Sequence, residues 1–298
     1  MNNQILTERS NPNTINIDLM RGEEIATLIN QEDKKVISAV ASQTPQIGQA
    51  IELIAQALLN NGRLGYFGAG TSGRLGVLDA SECSPTFKTS PQMVQAFIAG
   101  GEPAIRHAVE SAEDNATFAT EDITLFAPTA NDVVVAISAS GNPTYTLEVL
   151  RIAKEQKAST IAISTNPQAK FKKYADIFIC AEVGAEVITG STRMKSGTAQ
   201  KMILNMLSTG AMIRIGKTYH NYMIDMKPTN QKLINRAQHI VSEICKIDTK
   251  EAKNYLEKSH YDVKLACIMA IKNYSLEQAQ QSLAQNQGRL RSIIGDYE

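Results

Sequence analysis

The sequence lacks clustered cysteines and an excess of charge of one sign, two features that mark particular classes of protein. Its four cysteines, Cys83, Cys180, Cys245 and Cys267, are widely scattered, and 30 acidic residues balance 30 basic ones. Scattered cysteines form neither the close pairs of a zinc site nor a disulfide scaffold, so we expect reduced thiols in a cytoplasmic protein. A formal net charge of zero gives no overall field that would favour nucleic acid or an anionic membrane as a partner.

Long apolar runs are also absent. No uninterrupted run approaches the roughly 20 residues of a membrane-spanning helix. The first residues lack a basic region followed by an apolar one, so we expect no signal peptide. With 298 residues, 43% hydrophobic and 20% charged, the chain is long enough to bury a large core in one domain or two.

Short apolar segments alternate with amphipathic ones through the middle of the chain. Five segments, at residues 64–67, 94–99, 133–138, 160–164 and 177–181, are β-rich and almost continuously apolar, which is typical of parallel strands covered on both faces. With helical patterns between them, they predict an α/β fold with an open, doubly wound, five-stranded parallel sheet. Ligands of such sheets bind beyond the carboxyl ends of the strands.

The pattern becomes helical after residue 188. We expect one long helix over residues 191–216, then helices over 231–247, 249–258, 263–273 and 276–287, with Thr249 and Ser275 as N-caps because each precedes a glutamate in the first turn. The last three helices are short enough to form a small bundle. We therefore expect one domain over residues 1–245 and a small helical domain over 246–298.

A glycine-rich turn between a strand and a helix is the first candidate site. In residues 65–83, GYFGAGTSGRLGVLDASEC, an apolar strand stops at glycines and a helical pattern follows. Such a turn directs unpaired N–H groups and a positive helix end at one point, which suits a phosphate. The candidate binding residues are Gly70, Thr71, Ser72 and Gly73. A plain tight turn is the alternative, since neither a dinucleotide fingerprint nor a Walker loop is present.

Hydroxyl-rich turns recur at two further positions. One directly follows the third apolar segment and offers Ser138, Ser140 and Gly141; the other precedes the long helix and offers Ser191, Thr192, Arg193 and Lys195. Turns at the ends of neighbouring parallel strands would surround one small phosphorylated ligand. The alternatives are that the serines only cap helices and that the two cations are solvated.

An acidic run at residues 109–115, VESAEDN, is the last candidate. Such a run is usually a solvated face, and its position alone does not distinguish Glu110, Glu113 and Asp114. No set of His, Cys, Asp or Glu has the spacing of metal ligands. We therefore expect neither a metal nor a cofactor.

Together these motifs resemble one family of enzymes. FGAGTSGRLGVLDASECSPTF, ISASGNPTY, VESAEDN and EVITGSTRMKSGTAQKMILNMLSTGAMIRIGKTYHNYMID are similar to segments of the N-acetylmuramic acid 6-phosphate etherases of bacterial cell-wall recycling. These are sugar-isomerase-type (SIS) domain proteins. The resemblance runs from residues 6–11 to the C-terminal helices. It implies a flavodoxin-like SIS domain over 1–245 that binds a sugar phosphate and carries the catalysis, followed by a UBA-like helical domain.

The resemblance also implies a reaction and two catalytic carboxyl groups. The family converts N-acetylmuramate 6-phosphate and water into N-acetylglucosamine 6-phosphate and D-lactate, as a carbon–oxygen lyase. Glu82 corresponds to the proton donor for the departing lactate, and Glu113 to the other essential carboxylate, most simply the base for the C2 proton. A donor that stays protonated near neutrality is expected to be buried, with a raised pKa.

The spacing of Ser72 and Glu82 poses a geometric problem. A continuous helix from Ser72 to Glu82, ten residue steps, would separate them by about 15 Å, too far for one monosaccharide to reach both. Either the helix breaks early, or the phosphate loop and the carboxyl group that meet belong to different chains. SIS-type proteins typically dimerise near their sites, so we expect a homodimer with a shared active site.

Two other functions share parts of the pattern. A sugar-phosphate isomerase would need the phosphate loops and a base, but not the long match over residues 186–225 or an acid directed at C3. A non-catalytic sugar-phosphate sensor, as in glucokinase regulatory proteins, would not need both Glu82 and Glu113. A regulator of transcription should carry a basic helix-turn-helix region, and none stands out in this sequence.

Overall fold

The computed structural model describes residues 6–226, 228 and 230–296. Its contacts form two compact units. The first comprises Met1–Ser81 and Pro91–Gly210, and the second comprises Glu82–Ser90 and Ala211–Glu298. Apart from residues 82–90, the division between the units falls near residue 210, whereas the sequence predicted a boundary near residue 245.

The first unit contains the predicted sheet. Its strands are β1 (Leu64–Gly68), β2 (Val94–Ile98), β3 (Val133–Ile137), β4 (Ser159–Ser164) and β5 (Ile177–Cys180). All pairs are parallel, in the order β2-β1-β3-β4-β5, so the doubly wound five-stranded fold is confirmed. β1 and β3 are buried along their whole length, which explains their continuous apolar sequence. The strand order changes direction at β1 and β3, where such sheets open a crevice for a ligand.

Helices cover both faces of this sheet. They are α1 (Gly22–Ala41), α2 (Thr44–Leu59), α3 (Gly70–Phe87), α4 (Gly101–Arg106), α5 (Ala116–Phe126), α6 (Thr144–Glu155) and α7 (Lys195–Arg214). α3 begins inside the glycine-rich turn and runs without a break through Pro85, so it does not end early. α7 begins at Lys195, and not at Ser191. The carboxylate of buried Glu186 accepts the Lys195 and Ser196 N–H groups at 3.0 and 2.9 Å, which fixes this start.

The second unit is mainly helical. Its elements are the hairpin strands β6 (Thr218–Tyr219) and β7 (Tyr222–Met223), and the helices α8 (Gln231–Cys245), α9 (Thr249–Lys258), α10 (Val263–Lys272), α11 (Leu276–Gln285) and α12 (Arg291–Ile294). α8 buries Ala237, Val241 and Ile244 in one core with Leu256 of α9 and Ile268 of α10. This shared core explains why α8 belongs to the same unit as α9 and α10. The hairpin was not predicted.

One of the two predicted N-caps is found where expected. Ser275 caps α11, and its Oγ accepts the Gln278 N–H at 3.3 Å. At α9 the cap is Asp248, whose Oδ1 accepts the Glu251 N–H at 2.8 Å, and Thr249 is the first helical residue. The prediction of Thr249 as the cap is therefore wrong. A side chain at position 248 reaches the N3 amide, which a side chain already inside the helix does not.

Candidate functional site

A polar cleft lies at the carboxyl ends of β1 and β3, in the first unit. Its volume is about 280 Å³, close to the lower end of the roughly 300–1,000 Å³ typical of small-molecule sites. Its lining brings together predicted site residues from four separate stretches, namely Gly70, Thr71, Ser72, Glu113, Ser138, Ser140 and Thr192. Neither lysine nor arginine is among the described residues that line it. Backbone N–H groups and hydroxyls are thus its means of holding an anion.

The start of α3 forms one wall of this cleft. Gly70 has a φ of +53°, a conformation that favours glycine, and Thr71 and Ser72 follow in the first turn. The first N–H groups of a helix have no partner within the helix, and the helix dipole adds partial positive charge there. Gly73 does not line the cleft. A Cβ at Gly73 would come within 2.6 Å of the Gly68 carbonyl oxygen, so this glycine allows α3 to pack against β1.

Gln200 of α7 holds the Ser72 hydroxyl in place. Ser72 Oγ donates to Gln200 Oε1 at 2.9 Å, and both side chains are buried. Gln200 Nε2 is buried without a hydrogen-bond partner in the described part of the chain. Gln200 lies 128 residues from Ser72 in the sequence, and no local pattern pointed to it.

The turn after β3 forms the facing wall. Ser138 and Ser140 line the cleft, and Ser138 Oγ accepts the Gly141 N–H at 3.0 Å. Gly141 itself lies outside the lining. It has a φ of +67°, and a Cβ there would come within 2.2 Å of Ala169 Cβ. Asn166 Nδ2 donates to the Ser140 carbonyl at 2.9 Å, so the end of β4 fixes the shape of this turn.

The loop before α7 contributes less than predicted. Gly190 and Thr192 line the cleft, whereas Ser191, Arg193 and Lys195 do not. Arg193 is exposed. Lys195 is 0% exposed, and its Nζ lies 2.7 Å from Glu32 Oε2 of α1. The charge of Lys195 is thus paired with Glu32 in a buried ion pair, and its contact with substrate stays a prediction.

Glu32 is the centre of a buried polar network. Besides Lys195, it accepts from Asn11 Nδ2 at 2.9 Å, Asn13 Nδ2 at 3.1 Å and Lys35 Nζ at 2.6 Å. Burial alone would raise the pKa of Glu32, but these donors outweigh burial and lower the pKa to about 2. The network joins the N-terminal segment, α1 and α7.

Glu113 is at the cleft, in a short 3-10 turn between α4 and α5. The turn, Ala112–Asp114, follows Ser111, which has a φ of +58°. Asn115 then caps α5 by accepting the Thr117 N–H at 2.8 Å. Glu113 lines the cleft with its side chain exposed. Partial burial of the carboxyl group, and secondarily the charge of Asp114, raise the pKa of Glu113, which makes its carboxylate a stronger base.

Glu82 does not line the cleft of its own chain. α3 is continuous from Gly70 to Phe87, so ten helical residues place Glu82 about 15 Å along the axis from Ser72. Its side chain is exposed, so the single chain lacks the burial expected of a protonated donor. The early break in the helix, one of the two explanations offered for the spacing, does not occur.

The N-terminal segment adds lining residues that the sequence did not identify. Thr7 and Glu8, in the 3-10 turn Leu6–Glu8, reach the cleft. The segment is held by Asn11 Nδ2, which also donates to the Ala185 carbonyl at 3.2 Å, and by Thr14 Oγ1, which donates to the Val187 carbonyl at 2.8 Å. These contacts join it to the loop that carries Gly190 and Thr192.

Across residues 6–226, 228 and 230–296, no three His, Cys, Asp or Glu side chains lie close enough together to hold a metal ion. In the same part of the chain, no helix is long and apolar enough to cross a membrane.

Three protein-family models match parts of the chain. The glucokinase regulatory protein N-terminal SIS domain matches residues 46–154, and the SIS domain matches residues 104–210. The C-terminal lid domain of glucokinase regulatory protein matches residues 220–265. The two SIS matches cover the sheet and the residues that line the cleft, apart from Thr7 and Glu8.

Curated relatives match almost the whole chain. The N-acetylmuramic acid 6-phosphate etherase of Glaesserella parasuis is 48% identical over 287 residues, covering 96% of this chain and 94% of the relative. N-acetylmuramic acid 6-phosphate etherase 2 of Vibrio cholerae is 48% identical over 294 residues, covering 99% and 96%. The Clostridium beijerinckii etherase is 46% identical over 294 residues, covering 99% and 97%.

The Glu32 network predicts a specific loss of stability in acid. Because the pKa of Glu32 is about 2 in the folded state against an ordinary 4.5, the unfolded chain binds one more proton between these values. The stabilisation is complete above about pH 4.5 and is lost as the pH falls toward 2. Across this range the free energy of unfolding of the wild type should fall by about 3 kcal/mol more than that of Glu32→Gln.

Denaturant titrations at several pH values would measure this difference. Glu24→Gln is the matched control, since Glu24 is an exposed carboxylate on the same helix, and it should keep the wild-type pH dependence. Parallel pH profiles for the wild type and Glu32→Gln would contradict the prediction.

Proposed function

Because the chain belongs to the N-acetylmuramic acid 6-phosphate etherase family, we propose that it converts N-acetylmuramate 6-phosphate and water into N-acetylglucosamine 6-phosphate and D-lactate. The observation that carries the proposal is the cleft itself. It brings together the glycine-rich turn at Ser72, the hydroxyl-rich turn at Ser138 and Glu113. Glu113 is the one carboxylate of the acidic run that the family resemblance implies to be catalytic. In the cell, this activity would be that of a cytoplasmic carbon–oxygen lyase in cell-wall recycling.

The two turns suit the phosphate of the substrate. Gly70, Thr71 and Ser72, at the start of α3, and Ser138, after β3, all line the cleft. A phosphate held there is stabilised by oriented dipoles and needs no cationic side chain. Because the reactive sugar is open-chain and flexible, the anchored phosphate restricts where its C2 and C3 atoms lie. The turns therefore position the substrate and take no part in breaking or forming its bonds.

Glu113 is proposed as the base. An ether carbon is a poor centre for direct displacement, so the easier route begins with the open-chain C1 aldehyde, next to which the C2 proton is acidic. Glu113 takes that proton, and the C2–H electrons form an enolate. The enolate then expels the C3 alkoxide of lactate, and water adds to the resulting double bond. The raised pKa of Glu113 brings its basicity closer to that needed for this proton.

Glu82 is proposed as the acid that protonates the departing lactyl oxygen. Within one chain, the unbroken α3 keeps Glu82 about 15 Å from Ser72 along the helix axis. We therefore propose a homodimer in which Glu82 of one chain serves the cleft of the other. Such an interface would also bury the Glu82 side chain, which is the condition for a proton donor near neutrality. The scheme uses no metal and no cofactor.

The two alternatives are less well supported. Glucokinase regulatory protein models match parts of the chain, but relatives named as etherases match nearly all of it at 46–48% identity. A sensor does not need a carboxylate of raised pKa at the ligand. An isomerase does not need Glu82.

The direct test of the proposed function is the release of D-lactate. Purified protein incubated with N-acetylmuramate 6-phosphate should yield equal amounts of D-lactate and N-acetylglucosamine 6-phosphate, measured by coupled lactate oxidation and by mass spectrometry. N-acetylmuramate without the phosphate should react poorly, since the anchor is missing. Tight binding of the substrate without lactate release would favour the sensor.

The role of Glu113 predicts a loss of proton exchange at C2. In D2O, wild-type protein should place deuterium at C2 of the product, visible by proton NMR. Glu113→Gln should slow this exchange by about 10²–10⁴-fold because the amide is not a base. Glu110→Gln is the matched control, since Glu110 is exposed in the same acidic run and does not line the cleft. Exchange at the wild-type rate in Glu113→Gln would show that Glu113 is not the base.

A shared active site predicts complementation between two inactive chains. One chain carries Ser72→Ala and Ser138→Ala, and the other carries Glu82→Gln. After dissociation and random reassociation, about half of the dimers are mixed, and each has one site with neither defect. Lactate release should therefore recover to about a quarter of the wild-type rate. No recovery, in dimers shown by mass spectrometry to be mixed, would place Glu82 and the turns of one site on one chain.

A further inference from the structure

A second cavity lies within the C-terminal unit, and its polar lining is basic. Its volume is about 340 Å³, and it lies between the end of α7, the β6–β7 hairpin and the start of α12. Arg214, His220, Arg289 and Arg291 all line it. None of these residues has a part in the proposed reaction. The basic lining of this cavity therefore needs a separate explanation.

Arg289 is the central residue of this cavity. Its Nη2 donates to the Arg214 carbonyl at 3.1 Å, at the end of α7. Its Nε is buried and has no hydrogen-bond partner among the residues that the structure describes. A buried donor on a charged group is costly to leave unpaired. The group that would satisfy it is an acceptor, and beside a guanidinium the favoured acceptor is an anion.

The surrounding backbone holds Arg289 in this position. α7 ends in a Schellman motif, with Gly216 N–H donating to Ile213 O and Lys217 N–H to Met212 O, both at 3.0 Å. Gly216 has a φ of +82°, and a Cβ there would come within 2.8 Å of Arg289 Cγ. Just before Arg289 in the chain, the Gly288 carbonyl accepts from Lys264 Nζ, which also donates to Asp225, each at 2.8 Å. The residue before Arg289 is thus fixed by a buried ion pair.

The other basic groups belong to the hairpin and α12. Arg291 Nη2 lies 3.3 Å from His220 Nδ1, and the Arg291 guanidinium lies over the Tyr219 ring at 5.3 Å. Arg291 also pairs with Asp296. The described residues that line the cavity include neither Asp nor Glu, so its charged lining is basic.

We propose that this cavity binds the phosphate monoester of a small metabolite, at a site separate from the catalytic cleft. The planar fork of arginine matches phosphate oxygens in pairs of hydrogen bonds, and Arg289 Nε–H is an unused donor of such a fork. The cavity, at about 340 Å³, is larger than the cleft of about 280 Å³ that we assign to a sugar phosphate. A sugar-sized group attached to the phosphate therefore fits, and the proposal does not depend on the etherase reaction.

His220 provides a local reporter for the test. The full chain has four histidines, so their ring Cε1–H signals can be resolved by proton NMR, and His220→Gln assigns the one of interest. Glucose 6-phosphate, inorganic phosphate and glucose are titrated separately. We expect a saturable shift of the His220 signal with glucose 6-phosphate, weaker binding of inorganic phosphate and no shift with glucose. Because the reporter is local, binding in the catalytic cleft does not imitate this result.

Arginine variants complete the experiment. Arg289→Gln should weaken the binding of glucose 6-phosphate by about tenfold or more, whereas Arg236→Gln, the same change at an exposed arginine of α8, should not. Should Arg289→Gln fail to fold by circular dichroism, Arg291→Gln gives the same comparison. The proposal is overturned if the His220 signal shows no saturable shift, if the cavity variant binds as tightly as Arg236→Gln, or if inorganic phosphate binds as tightly as the monoester.

Discussion

The buried ion pair between Lys195 and Glu32 is the constraint on which the cleft depends. It joins the first residue of α7 to α1, and Glu32 also accepts from Asn11 and Asn13 of the N-terminal segment. Through these contacts, one carboxylate fixes both the loop that carries Thr192 and the segment that carries Thr7 and Glu8. Removing one member would leave the other charged and buried, which is far more costly than losing an exposed pair.

With its loops fixed in this way, the cleft meets the needs of an anion without cations. Glu186 occupies the start of α7 with its own carboxylate, whereas the start of α3 lies open to the cleft. Of these two helix N-termini, only the one at α3 is therefore available to a ligand. Gln200 then fixes the Ser72 hydroxyl beside the open terminus. In the function that we propose, the substrate's phosphate therefore binds at the helix start that has no carboxylate of its own.

The sequence alone was sufficient to predict the sheet and part of the cleft lining. The continuous apolar runs identified all five strands, and because parallel strands end at one edge, the turns at Ser72 and Ser138 could be placed together. The ion pair of Lys195 could not be predicted, because Glu32 lies 163 residues away in the sequence. A cationic residue in a loop also has the same sequence pattern whether it is buried or solvated. Gln200 and Glu8 were missed for the same reason: only tertiary contacts bring Gln200 to Ser72 and Glu8 to the cleft.

A balanced amino-acid composition excludes an overall electrostatic field but not a local cluster of charges. A net charge of zero is compatible with a cleft lined by hydroxyls and with a second cavity lined by Arg214, Arg289 and Arg291. The two places differ in what they offer an anion. In the function that we propose, the dipoles of the cleft hold the phosphate without a fixed cation beside Glu113, which would lower the pKa of the proposed base. A cavity that performs no proton transfer has no such restriction, and guanidinium groups are acceptable there.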